Sequence, residues 1–108
     1  MKLLITHSRL DQRGGVAPFV RNWAHVLGEM GHTVLCFSAN PTLEFRALAA
    51  DGVPVTTDID ELPFVPDVIH AQANLETMAA LAALPDVPAL YHCHGGTWAE
   101  CPPVHPRI

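Results

Sequence analysis

Residues 2–6 read Lys-Leu-Leu-Ile-Thr, residues 14–16 Gly-Gly-Val, and residues 31–37 Gly-His-Thr-Val-Leu-Cys-Phe; how this stretch is read decides the fold. Lys2–Thr6 is a short apolar run. A polar loop leads to the glycine pair, which opens an amphipathic segment from Val16 to Met30. Val16, Phe19, Val20, Trp23, Ala24, Leu27 and Met30 recur at helical spacing and make one face, while Arg21, Asn22, His25 and Glu29 fall mainly on the other. Pro18 lies in the first turn, where its missing N–H costs little, and Gly31 supplies a C-terminal stop. Thr33–Phe37 is a second apolar run. Strand, helix and strand within about thirty residues predict the βαβ unit of a parallel sheet.

The turn has its own chemistry. Glycines let backbone N–H groups approach a ligand above the strand, and the helix N-terminus that follows favours an anion. Arg9, Arg13 and Arg21 lie near this loop and are three of six basic residues. On the glycines alone, a plain turn without ligand is the favoured reading.

Downstream, Asn40-Pro41-Thr42 predicts a helix start, with Asn40 or Thr42 as cap, for a short helix Leu43–Asp51 closed by Gly52. Val53-Pro54-Val55 predicts a brief strand that its proline confines to a sheet edge. Asp67-Val68-Ile69-His70 predicts the fourth strand, Asn74 caps a helix Leu75–Leu84 ended by Pro85, and Ala89–Cys93 is the fifth strand. Residues 96–108, with Pro102, Pro103 and Pro106, show no periodicity and are expected to form an irregular tail after a domain spanning residues 1–95. The expected fold is an open, parallel, doubly wound α/β sheet of about five strands in the order 3-2-1-4-5, with helices on both faces. Its switch point lies between strands one and four, where ligands bind beyond the carboxyl ends of the strands. His7, His70 and His94 end three neighbouring strands there.

Composition narrows the function. The chain has 108 residues, 49% hydrophobic and 16% charged, which suits one small globular domain. A net charge of −5 argues against a nucleic-acid partner. No apolar run is long enough to span a bilayer, the N-terminus does not read as a signal peptide, and Cys36, Cys93 and Cys101 make no disulfide framework. A cytoplasmic setting is the expectation.

Three segments carry a family resemblance. Gly14-Gly15-Val16 with its helix and Gly31-His32-Thr33-Val34, then Pro66-Asp67-Val68-Ile69-His70-Ala71-Gln72, then Val87-Pro88-Ala89-Leu90-Tyr91-His92-Cys93-His94-Gly95, resemble in order the opening, the "PDVIHAH" strand and the "HG" strand of family-4-type retaining glycosyltransferases of the two-Rossmann-domain (GT-B) architecture. The resemblance covers the chain to about Gly95. It implies an N-terminal, acceptor-side Rossmann-like domain of an enzyme that transfers a sugar from a nucleotide-sugar to an acceptor hydroxyl, with no further cofactor and no metal. It implies that Gly14, Gly15 and Val16 meet the donor phosphates, that His94 acts at the reacting centre, and that His7, His70, Gln72, Asn74 and Gly95 line the cleft on the acceptor side. Gln72 stands where the family often has a second histidine. The family's donor domain, with its pair of glutamates eight positions apart, has no counterpart here: Glu29, Glu44, Glu61, Glu76 and Glu100 include no such pair. The expectation is therefore a truncated chain, inactive alone, belonging to an enzyme that in full length is cytoplasmic or peripheral to a membrane. An open edge at strand five leads to the further expectation of a homodimer.

Other readings come from other classes. A Rossmann-like module that binds an anion or a partner without chemistry is the alternative, and a mononucleotide-binding domain with its own activity is a third. Asp58-Ile59-Asp60 is a D-x-D, read as a solvated loop rather than a metal site. His92-Cys93-His94 with Cys101 and His105 offers zinc ligands, but residues 92 and 94 share one face of a strand and 93 takes the other, and no CxxC is present. Cys93 as a nucleophile has no evident oxyanion arrangement or orienting acid and reads as a structural, buried cysteine.

Overall fold

A computed structural model describes residues 1–7, 16–39 and 48–108, without the side chains of Val16 and Ala17. Among the described residues there are five strands, β1 (Lys2–Thr6), β2 (Thr33–Phe37), β3 (Val55–Thr56), β4 (Val68–Ala71) and β5 (Ala89–Tyr91), and two helices, α1 (Val16–Glu29) between β1 and β2 and α2 (Asn74–Ala83) between β4 and β5. The strands form one all-parallel sheet in the order β3-β2-β1-β4-β5. The fold is thus the α/β Rossmann-like sheet expected from the sequence.

Alternation along β1 builds two cores. Leu3 and Ile5 face α1, where Val20, Ala24 and Leu27 cover them together with Val34 and Cys36. Leu4 faces the other side, with Leu35, Phe37 and Ile69 beneath Ala80 and Leu81 of α2. One face of each helix is therefore buried against opposite faces of one sheet, which is what forces the doubly wound arrangement. Within α1, Phe19 and Trp23 are half-buried; Met30, expected on the same apolar face, lies just past the helix end and is exposed. Gly31 and Gly52 adopt φ of +90° and +86°, the left-handed conformation that a glycine stop provides.

Several boundaries differ from expectation. Pro54 lies outside β3: the edge strand begins after it, at Val55, while the Pro54 carbonyl accepts from the Cys36 N–H at 3.0 Å and Val53 is buried in the core. Asp67 precedes β4 and instead clamps β1, its carboxylate accepting from the Lys2 N–H at 2.7 Å and its own N–H donating to the Lys2 carbonyl at 2.7 Å. Asn74 is not the cap of α2. Ala73 holds that position without a side-chain bond, and the Asn74 N–H and side-chain amide donate instead to the carbonyls of Ala99 and Cys101. The tertiary acceptors win because both donors of Asn74 are satisfied at once by the returning tail. β5 ends at Tyr91, two residues early, although the His92 N–H still reaches the Ala71 carbonyl at 2.8 Å. Residues 48–50 are helical; the rest of the helix expected between Leu43 and Asp51 and its caps at Asn40 or Thr42 lie outside the described residues.

Residues 96–108 contain no helix or strand, yet they are tied down. The Tyr91 hydroxyl donates to the Glu100 carbonyl at 2.6 Å, Pro103 is buried, and Arg107 reaches back to the carbonyls of Leu81, Leu84 and Val87. β5 forms one edge of the sheet, with Leu90 60% exposed. Among the described residues, no helix is long and apolar enough to cross a membrane.

Candidate functional site

In a strand, residues two apart share a face, so His70 and Gln72 rise on the α1 side of the sheet as β4 ends. His92 and His94 do the same where β5 ends. Parallel pairing of β4 with β5 in the register His70↔Leu90 brings the two sets side by side at the carboxyl end of the sheet. A polar network results. Gln72 is 1% exposed; its Oε1 accepts from Nε2 of His94 at 2.6 Å, and its Nε2 lies 3.4 Å from Nδ1 of His70. The Gln72 N–H donates to Oγ1 of Thr6 at 3.3 Å, joining β4 to the end of β1.

Aromatic rings wall this network. His92 stacks on His94 with centroids 4.3 Å apart and planes 12° from parallel. Phe19, one turn into α1, lies 4.8 Å from both rings, and Trp23 lies 5.7 Å from His70. The cluster thus occupies the space between the first half of α1 and the ends of β4 and β5, beside the switch point between β1 and β4.

His7 is buried at the end of β1, with its N–H donating to the Phe37 carbonyl at 2.9 Å. Asn74 sits at the start of α2 and is engaged with the tail. Gly95 lies under the Glu100 carboxylate: a Cβ there would stand 2.5 Å from Glu100 Oε2, which in turn accepts from the Thr97 hydroxyl at 2.7 Å. Val16 begins α1, and Gly14 and Gly15 lie outside the described residues, as do Arg9 and Arg13. Arg21, named with them, ion-pairs with Asp51 at 3.5 Å on the surface. Of the named residues, the structure joins His70, Gln72 and His94 directly.

The cluster favours neutral imidazoles. Burial holds His70 below the ordinary histidine value of 6.5, and His92 and His94 push the same way, against a backbone hydrogen bond. His94 is lowered by burial and then by His92, with Glu100 opposing. Neutral imidazoles donate and accept hydrogen bonds and can take up a proton, so the arrangement suits polar recognition and general-base chemistry. It does not gather lone pairs: stacked His92 and His94 present faces to each other. No group of three His, Cys, Asp or Glu side chains that could hold a metal occurs among the described residues. Cys93 is not the buried thiol expected from the sequence: β5 ends at Tyr91, so Cys93 lies beyond the strand and is exposed, with Sγ 3.2 Å from the Gly95 carbonyl. Cys36 is buried as expected, its thiol pushed up to about 12.

Two features escape a reading of the sequence. Phe19 and Trp23 read as core residues of α1, and only the placement of β5 makes them a wall of the site. Glu76 reads as an ordinary helix-start acid, yet its side chain is buried, Oε2 has no hydrogen-bond partner among the described residues, and burial raises its carboxyl pKa. No sequence signal marks either.

The shifts have a consequence for stability. Folding lowers the pKa values of His70 and His94, so at these two groups the unfolded chain takes up protons more readily. Their contribution is complete above pH 6.5, is lost as pH falls through the lowered folded-state values, and changes no further below them. Glu76 acts in the opposite sense, because its raised carboxyl takes up a proton more readily in the folded state. In a Glu76→Gln variant the denaturant midpoint is therefore expected to fall more steeply than in wild type as pH drops below 6.5. A variant midpoint that holds or rises over that range would contradict this account of the cluster.

Comparison of the chain with models of known protein families, with curated proteins and with solved structures found no match. What fold and site define is a class: a parallel, Rossmann-like α/β domain with an imidazole network at its switch point.

Proposed function

We propose that this chain is the acceptor-side domain of a retaining glycosyltransferase, and that a second domain supplies the groups that hold the nucleotide-sugar. The observation that carries the reading is the His70–Gln72–His94 network at the carboxyl ends of β4 and β5, beside the helix that the glycine pair opens. Two of the three resembling segments, residues 66–72 and 87–95, end in that network, and the third leads into α1. In such an enzyme catalysis is mostly placement and electrostatics: the donor diphosphate is stabilised as it leaves and the acceptor hydroxyl is held on the same face of the sugar. Here the amides of Gly14 and Gly15 meet the diphosphate. His94 faces the reacting centre, and His70 and Gln72 support it from beneath.

The domain alone is expected to bind but not to transfer. A half-site open to water makes each polar contact worth about 1 kcal/mol, and a few such contacts give about −4 kcal/mol, in the millimolar range. Titration with a nucleoside diphosphate is expected to move NMR signals at Gly14, Gly15 and His94, weakly and with salt sensitivity. Gly15→Val is expected to abolish those shifts by blocking backbone approach while the sheet signals stay in place. Shifts centred on the Asp58 loop, or sugar transfer by this chain alone, would refute the assignment.

A further inference from the structure

We propose that Gln72 is a positioning residue that sets the tautomers of two histidines at once, leaving His94 with its proton on Nε2 and Nδ1 as its one basic nitrogen. The two ends of a primary amide are chemically different: oxygen only accepts and nitrogen only donates. At 2.6 Å from His94 Nε2, the Gln72 atom is the oxygen, so that ring nitrogen carries hydrogen. The amide nitrogen then faces His70 Nδ1 at 3.4 Å, which must accept, so His70 also carries its proton on Nε2. The 2.6 Å bond is the stronger constraint; the longer one lies at the outer limit of a hydrogen bond.

Two features hold the Gln72 side chain in place. Gln72 is 1% exposed, so water offers its side chain no alternative partners. Its backbone is held by Thr6 Oγ1. The orientation of the amide itself rests on the 2.6 Å contact with His94 Nε2, which is too short for an amide nitrogen against a ring nitrogen and suits the oxygen. Among the described residues Nδ1 of His94 has no protein partner, which makes it the nitrogen that can accept hydrogen from a ligand hydroxyl. A histidine in place of Gln72 would itself be ionisable; an amide is not, and it sets this geometry wherever the two imidazoles are neutral. The groups that face His94 are His92, stacked on it from the same strand end, Phe19 from α1, His70 and Gln72 from β4, and Glu100 from the tail. Of these groups, Gln72 is the polar side chain that is not ionisable.

The tautomer stands independently of the proposed sugar transfer; only its use, acceptance of a substrate hydroxyl, rests on that reading. It is measured on the chain without nucleotide, from the side-chain nitrogen NMR signals of the histidines above pH 6.5. Wild-type His94 is expected to show a single neutral tautomer with hydrogen on Nε2. Gln72→Met keeps much of the volume and removes both polar ends; His94 should then show mixed tautomers and a fast-exchanging ring proton. Gln72→Glu places a carboxylate between the rings and should raise the pKa of His94 by about 1–3 units. A wild-type His94 protonated on Nδ1 would overturn the inference, and so would a folded Gln72→Glu variant in which His94 titrates as in wild type. If the glutamate variant does not fold, the wild-type tautomer decides alone. Absent nucleotide shifts would refute the functional reading and leave this assignment standing, and a wrong tautomer would do the reverse.

Discussion

Leu4→Ala is expected to destabilise the domain by about 3–4 kcal/mol, a large part of the stability of a domain this small. Leu4 is fully buried at the centre of β1, flanked in the sheet by Leu35 of β2 and Ile69 of β4. On the α2 face it packs in one cluster with Phe37, Ala80 and Leu81. Removing its branched end loses transfer free energy and leaves a cavity. β1 is held by strands on both sides, so the walls cannot close in, and the cost falls near the middle of the range for such substitutions rather than at its foot. For a domain of this size the melting temperature should fall by more than about 10 °C. Leu4→Met, which keeps the volume, is expected to cost less than about 1.5 kcal/mol. Urea unfolding of the pair decides: equal stabilities, or an alanine variant within about 1 kcal/mol of wild type, would mean that the two-faced core built around β1 is wrong.

Arg107→Ala is expected to cost about 2–4 kcal/mol. The last carbonyls of a helix have no partner within it and carry the negative end of its dipole. At the end of α2, the Arg107 guanidinium fills that role from the tail: Nη2 donates to the Leu81 carbonyl at 2.5 Å and Nη1 to the carbonyl of the capping residue Leu84 at 2.8 Å, while Nη1 also reaches the Val87 carbonyl in the loop beyond the helix at 2.7 Å. Hydrogen bonds from a charged donor contribute about 1.5–3 kcal/mol each where buried. The site is only partly buried, so water recovers some of this on substitution and the total is well below the sum of three. Lysine, a single point donor, is expected to restore about a third to a half of the loss, because it cannot reproduce the planar fork. Thermal melts give the global cost, and hydrogen exchange at Arg107 and Ile108 gives the local one. If alanine changes neither, the tail is not fastened as described.

Both predictions bear on the site. β1 carries Thr6, which holds the Gln72 backbone, and the tail carries Glu100, which lies over Gly95 and acts on His94. A weakened core or a released tail therefore alters the setting of the imidazole network without touching it. Activity or binding lost in either variant is to be read against its stability first.

What the sequence by itself determined is what short windows encode. β1 and β2 were legible to the residue, because an unbroken apolar run bounded by polar residues and glycine leaves little choice of ends. α1 was legible from its spacing and from Gly31, whose positive φ ends the helix at the place the glycine indicates. Strand order followed from right-handed crossovers and an edge-confining proline, which are rules about neighbours in sequence. Tertiary structure decided everything that joins distant residues. Asn74 has the side chain of a cap, but the Ala99 and Cys101 carbonyls of the distant tail offered its donors other partners. Residues 96–108 have no periodicity, and an anchor such as Arg107 leaves no local pattern, because its acceptors are backbone carbonyls that every residue possesses. His70, Gln72 and His94 could be placed at one end of the sheet by topology, but the bonds among them could not. Whether Gln72 reaches His94 at all depends on the register between β4 and β5, which pairs residues that short windows of sequence cannot relate.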